Sequence, residues 1–211
     1  MTDIRLYAIL DPARSGDRDL PTLARAAAKG GATILQYRDK TAPTRVLVEN
    51  ARAIRAALEG SDVPFLVNDR VDVALASGAD GVHVGQDDMA AEDARALLGP
   101  DRIVGFTIKT QAHAKSAPLS ALDYVCIGGV FETASKENPA AIGLEGWARV
   151  ARHFREHAPQ LPVGAIAGID ASNAAAVMRA GADGVAVISA LFTADDVEAA
   201  TRALRDTLEN A

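Results

Sequence analysis

Short, uninterrupted apolar runs recur along the chain, separated by longer stretches in which apolar positions return every three or four residues. The runs cover residues 5–10 (RLYAIL), 32–37 (ATILQY), 63–67 (VPFLV), 81–84 (GVHV), 102–106 (RIVGF), 124–128 (YVCIG), 162–167 (PVGAIA) and 184–189 (GVAVIS). Their shortness and β-branched content predict strands buried on both faces. The stretches between them predict helices. TRVLVENARAIRAALEG (44–60) stops on a glycine, as does DASNAAAVMRAG (170–181), where Asp170 and Ser172 are candidate N-caps. LEGWARVARHFREHA (144–158) and DDVEAATRALRDTLE (195–209) are two more. Strands alternating with helices imply right-handed βαβ units and a parallel sheet.

An internal echo bears on how that sheet closes. ASGADGVHV (76–84) returns as RAGADGVAV (179–187), an offset of 103 residues (179 minus 76), close to half of the chain. Eight strand–helix units with half-chain similarity predict one (β/α)8 barrel domain over residues 1–211, an α/β fold. The competing architecture is an open, doubly wound sheet. It lacks support, because no G-x-G-x-x-G stands between the first strand and the first helix.

Composition narrows the function classes. Hydrophobic residues make up 49% and charged residues 24%, an ordinary globular balance, and the net charge of −6 argues against nucleic acid or an anionic membrane surface as partner. An anionic substrate therefore needs a local cluster of cations. The single Cys126, inside YVCIG, excludes an intramolecular disulfide and a C-x-x-C pair, and reads as a small buried hydrophobe. The opening MTDIRLYAIL has charges and no signal-peptide core, and no apolar run approaches the roughly 18–20 residues of a membrane span. A cytoplasmic protein is expected.

In such a barrel the chemistry sits at the C-terminal ends of the strands. Strand two ends in QYRDK, where Gln36, Arg38 and Lys40 alternate and can share one face, a set suited to a phosphate or pyrophosphate. An ion-pair cluster with Asp39 is the competing reading. Strand three ends in Asn68-Asp69 and strand four in GQDD. Neighbouring strands lie ~4.8 Å apart, so carboxylates from both ends can reach one ion. Hard oxygen ligands without a His or Cys cluster fit Mg²⁺. Helix N-capping by Asp69 and Asp88 is the alternative, although it leaves the cations next door unexplained. Strand five offers Thr107, and strand six a long loop containing Thr133, Ser135 and Lys136. Gly168 after strand seven and Ser189 after strand eight fit a second anion site. His83, flanked by valines, reads as a hydrogen-bonded core histidine, and His113, His153 and His157 have no partner pattern.

The segments QYRDK, VNDRVDVALASGADGVHVGQDD, GGVFETASK, IGLEGW, IAGI and GADGVAVIS, in this order and spacing, resemble the thiamine phosphate synthase family over nearly the whole chain. The resemblance implies a barrel enzyme joining a hydroxymethylpyrimidine diphosphate to a thiazole phosphate, with thiamine monophosphate and pyrophosphate as products. It implies that Gln36, Arg38, Lys40 and Asn68 bind the pyrimidine diphosphate, within a QYRDK run that includes Tyr37 and Asp39, with Thr107 near the pyrimidine. Asp69 and Asp88 are then the Mg²⁺ ligands. Lys136 contacts the pyrophosphate and joins Arg38 and Lys40 as a catalytic cation. Thr133, Ser135, Gly168, Ile188 and Ser189 surround the thiazole phosphate. The chain departs from the family's pattern at Thr107, commonly serine, at residues 132–136 (ETASK), and at Ala167-Gly168, commonly Gly-Gly. Two rivals remain: a thiazole tautomerase of the same fold, which needs no pyrophosphate or metal, and a non-catalytic thiamine phosphate-binding protein. The oligomeric state is open, a homodimer included.

Overall fold

Each of the eight apolar runs forms a strand, and the eight pair in sequence order into a closed parallel barrel in which β1 also pairs with β8. The computed structural model describes residues 1–132 and 141–211. The strands are β1 (Leu6–Leu10), β2 (Ile34–Tyr37), β3 (Phe65–Asn68), β4 (Gly81–Val84), β5 (Ile103–Ile108), β6 (Tyr124–Ile127), β7 (Val163–Ile166) and β8 (Gly184–Val187). The expected runs and the strands agree to within a few residues. Thr107 lies inside β5 rather than beyond it.

Side chains alternate across each strand. In β1, Leu6, Ala8 and Leu10 face the helices while Tyr7 and Ile9 face the barrel axis, where they join Ile34, Leu66, Tyr124, Cys126, Ile166 and Ala186. Both faces are buried, which is why the strands read as unbroken apolar runs. Around them lie α1 (Pro12–Ser15), α2 (Leu20–Lys29), α3 (Thr44–Ala57), α4 (Val71–Ser77), α5 (Ala91–Leu98), α6 (Gln111–Lys115), α7 (Gly143–His157), α8 (Ala174–Arg179), α9 (Ser189–Phe192) and α10 (Val197–Glu209). α7 shows how sequence sets this layer. Trp147, Val150, Ala151 and Phe154 recur at helical spacing, and these four are buried.

At the N-terminal end of the barrel the same clamp recurs four times. The residue just before each even strand holds the start of the preceding odd strand. Asp80 accepts the Phe65 N–H at 2.8 Å and donates its own N–H to Phe65 O at 2.8 Å. Asp123 does this to Val104 at 2.7 and 2.9 Å, and Asp183 to Val163 at 2.7 and 3.0 Å. Thr33 plays the part with its hydroxyl for Leu6, at 3.1 and 2.9 Å. The structural repeat is thus a quarter of the barrel, finer than the half-chain echo, which registers only the Asp80 and Asp183 copies. The clamps lie at the end of the barrel that governs stability.

Not every expected cap forms. α8 starts after Asn173 without a side-chain cap, because Asp170 instead accepts the Ser172 N–H and hydroxyl in the preceding turn.

Candidate active site

At the opposite, C-terminal end, β3 turns into α4 within two residues. Asp69 takes φ +58°, a left-handed conformation that aspartate tolerates, and the Arg70 N–H closes the turn on Asn68 O at 2.6 Å. The Asp69 N–H bonds His83 O at 2.8 Å and so continues the pairing with β4. This turn lays the Asp69 carboxylate over the mouth, where it meets Lys40 Nζ at 2.5 Å and is in hydrogen-bonding contact with the Asp88 carboxyl. Burial above all pushes the Asp69 pKa above the ordinary carboxylate value. Lys40 pulls it back, and Asp88 pushes it up again. Asp88 is anchored by the Gly85 N–H at 2.8 Å. Neither aspartate caps a helix: α4 follows Arg70 and α5 follows Ala90, and neither has a side-chain cap. The capping alternative therefore falls away.

Among the described residues no cluster of three or more His, Cys, Asp or Glu side chains is placed to hold a metal. Two carboxylates in contact are nonetheless a donor pair that suits Mg²⁺, which takes one or two carboxylates and completes its shell with water and substrate phosphate. The residues fit that ion.

At the end of β2, the strand next to β3, stands Arg38. Its guanidinium forms a mostly buried ion pair with Asp11, whose other oxygen caps α1 through the Ala13 N–H at 3.0 Å. Asp11 fixes Arg38 from one side and leaves other N–H donors of its fork for an anion. Asp11 ends β1 in the way that Asp69 follows β3, and reading the end of strand one alongside the others would have found it. The rest of the QYRDK run points elsewhere. Tyr37 lies on the helix side of the barrel, with Asn50 donating to its hydroxyl at 3.0 Å. Asp39 turns back into its own loop: burial works to raise its pKa, but hydrogen bonds from Thr41, Ala42 and Tyr37 outweigh it and hold the carboxyl low. Gln36 is buried in the barrel, its amide donating to the Tyr7 hydroxyl at 2.7 Å. Asn68, half-buried, shares the inward face of β3 with Leu66. Across the mouth the Thr107 hydroxyl meets His83 Nε2 at 2.8 Å. The structure therefore brings Lys40, Asp69 and Asp88 into contact, holds Arg38 on Asp11 at the end of β2, sets Gln36 and Thr107 deeper, and turns Tyr37 and Asp39 away.

A second cavity, of about 450 Å³, opens beside β7 and β8 and is lined by Arg14, Gly168, Ile188, Ser189 and Thr193 among others. Gly168, at φ +63°, also serves a close approach within the chain itself, since a Cβ there would lie 2.4 Å from Glu132 O. Ala167 takes φ +93°, a strained conformation for a residue with a side chain. The α9 helix that starts at Ser189 is held from below by Arg18, which donates to Phe192 O and to Ala194 O. Two backbone bonds, Ile142 N–H to Gly129 O at 2.7 Å and Gly143 N–H to Val130 O at 3.1 Å, tie the base of the strand-six loop. Thr133, Ser135 and Lys136 lie outside the described residues.

A larger cavity, about 1030 Å³, is at the other end of the barrel. Its described lining includes Asp3, Asp62, Asp101 and Asp123 and no lysine or arginine, so it repels an anionic substrate. Chemistry, not size, selects the C-terminal mouth.

Comparison with known proteins places the whole chain. The chain is 54% identical to the thiamine-phosphate synthase of Agrobacterium fabrum (strain C58) over 99% of this chain and 96% of that protein. It is 47% identical to the thiamine-phosphate synthase of Chloroflexus aurantiacus over 97% of this chain and 93% of that protein. The fold matches the thiamine phosphate pyrophosphorylase of Pyrococcus furiosus with a TM-score of 0.85 and 38% identity, covering 99% of this chain and 97% of the other. The family model described as thiamine monophosphate synthase matches residues 6–191, most of the chain. The chain belongs to the thiamine monophosphate synthase family.

Proposed function

We propose that this chain, an enzyme of thiamine biosynthesis by its family, joins 4-amino-5-hydroxymethyl-2-methylpyrimidine diphosphate to hydroxyethylthiazole phosphate, forming thiamine monophosphate and releasing pyrophosphate. The observation that carries the reading is the facing pair Asp69 and Asp88, with Lys40 against it and the Asp11-held Arg38 at the end of the neighbouring strand. Such a mouth suits a diphosphate that brings its own metal ligands. Asp69 and Asp88 would hold Mg²⁺, which when bound supplies positive charge to the departing pyrophosphate.

The protein's own part is electrostatic and positional. Arg38 and Lys40 oppose the charge that develops as the exocyclic CH₂–O bond breaks, and the family resemblance adds Lys136 to them. The 4-amino group feeds electrons into the pyrimidine ring and stabilises the cation left on the CH₂ carbon. The neutral thiazole nitrogen then attacks that carbon. The cavity beside Gly168, Ile188 and Ser189 would hold the thiazole's phosphate and so keep the nucleophile in line. A neutral nucleophile needs no strong general base, in keeping with His83 being tied up inside the barrel. None of the described helices is long and apolar enough to cross a membrane, and phosphorylated small-molecule substrates fit a cytoplasmic location.

The test is to incubate the protein with both substrates and Mg²⁺ and to assay thiamine monophosphate and pyrophosphate together. Equal amounts of both products are expected. Their absence, or conversion of a thiazole phosphate alone, overturns the reading.

A further inference from the structure

The barrel interior contains a polar chain that the proposed reaction does not require for its charges. Between Gln36 and Thr107 stand three more side chains. The Tyr124 hydroxyl donates to the Tyr7 oxygen at 2.8 Å, and His83 Nδ1 lies 2.9 Å from the Tyr124 oxygen. With the bonds from Gln36 to Tyr7 and from His83 to Thr107, five side chains on β1, β2, β4, β5 and β6 form one continuous line under the mouth.

Stability alone does not call for this line. Tyr7 is 1% exposed, Tyr124 0% and His83 7%, so each middle member sits where an apolar side chain of similar volume would need no partner. The fold instead makes room for the polar version. β5 has Gly105 at the crossing point, where a Cβ would lie 2.2 Å from Tyr124 Cζ. The three rings also pack on one another, with Tyr7–Tyr124 centroids 5.6 Å apart edge-to-face and His83–Tyr124 centroids 5.5 Å apart. Burial pushes the Tyr7 and Tyr124 pKa values well above 10, so both keep their protons, and Tyr124 gives its own to the bond with Tyr7.

The two ends differ from the middle. A carboxamide and a hydroxyl rotate freely unless something holds them, and Gln36 and Thr107 are the two uncharged groups beneath the mouth that the line holds. They come from β2 and β5, three strands apart around the barrel. We infer that His83, Tyr124 and Tyr7 are positioning residues, which hold the Gln36 carboxamide and the Thr107 hydroxyl in one fixed orientation for the edges of an aminopyrimidine ring. The inference rests on the proposed reaction and assigns ring recognition to this line, separately from the charged groups that take the diphosphate.

That separation makes the test specific. Tyr124→Phe and Tyr7→Phe each remove one hydroxyl and keep the ring packing. Each should raise KM for the pyrimidine diphosphate about tenfold, the worth of one net hydrogen bond. KM for the thiazole phosphate and inhibition by inorganic pyrophosphate should stay unchanged, because neither ligand has an aminopyrimidine edge. His83→Gln, which can still reach Thr107, should be milder than His83→Phe. Folding is followed in parallel by thermal melting. If the melting temperature falls while KM for the pyrimidine diphosphate stays put, the line only stabilises the barrel and the inference is wrong. If pyrophosphate inhibition weakens in step with KM, the variants distort the whole mouth and the inference is equally wrong. Absence of thiamine monophosphate with the unaltered protein sinks the proposed reaction instead, before any variant is compared.

Discussion

Aspartates stand at both ends of this barrel, and the two sets behave in opposite ways. At the N-terminal end Asp80, Asp123 and Asp183 each accept a backbone N–H from the neighbouring strand. Asp123 and Asp183 also pair with Arg95 and Arg155, at 2.5 and 2.9 Å. These carboxylates are satisfied by the chain itself. At the C-terminal end Asp69 and Asp88 face each other, with Lys40 as the nearby cation, and Asp69 is raised in pKa by burial. Like charges brought together in a partly buried place cost stability, and a fold keeps them there for a ligand's sake. The same residue type therefore builds the scaffold at one end and, in the proposed reaction, serves a cation and a diphosphate at the other.

The contrast can be broken most sharply at Asp69. Asparagine accepts the left-handed conformation, so Asp69→Asn removes charge without disturbing the turn. Turnover at limiting Mg²⁺ should fall about a hundredfold or more, while the melting temperature does not drop. Unchanged activity and unchanged Mg²⁺ dependence would remove the metal assignment. Asp123→Ala should do the reverse. It leaves the Val104 N–H and Arg95 without their carboxylate and should cost about 2–4 kcal/mol. Calorimetry should then find the melting temperature lower by roughly 5–15 °C, with kcat and both KM values of the folded protein unchanged. A change in KM there would mean that the two ends are coupled.

Asp11→Asn sharpens the boundary, because asparagine still caps α1 but no longer carries the charge that holds Arg38. KM for the pyrimidine diphosphate should rise about tenfold, with KM for the thiazole phosphate unmoved. If both stay constant, Arg38 does not need Asp11 for binding. The smallest effect is expected at Ala167. Ala167→Gly relieves the φ +93° strain and should gain about 1 kcal/mol, raising the melting temperature roughly 2–4 °C. A lower melting temperature would show that the backbone there is comfortable with alanine.

Much of this was legible along the chain. The eight runs, their alternation with helices and the 103-residue echo between residues 76–84 and 179–187 were enough to place a closed barrel, and reading its strand ends picked out Arg38, Lys40, Asp69 and Asp88. Other parts were not. Nothing local distinguishes Tyr7 and Tyr124 from core aromatics, since the bond between them joins residues 117 positions apart. Asp39 and Tyr37 sit in the most informative motif of the chain, yet their oxygens are engaged by Thr41, Ala42 and Asn50. The Asp80 and Asp183 echo was visible, but its purpose was not, because the N–H groups it satisfies belong to other strands.

The sequence by itself determined the number of strand–helix units, their closure, and which charges stand at the strand ends, because periodicity and residue type are local properties. The tertiary structure alone decided which of those charges are already satisfied. That depends on barrel register, which sets Asn68 opposite His83 and Thr107 opposite Cys126, and so decides which polar groups come within about 3 Å of one another.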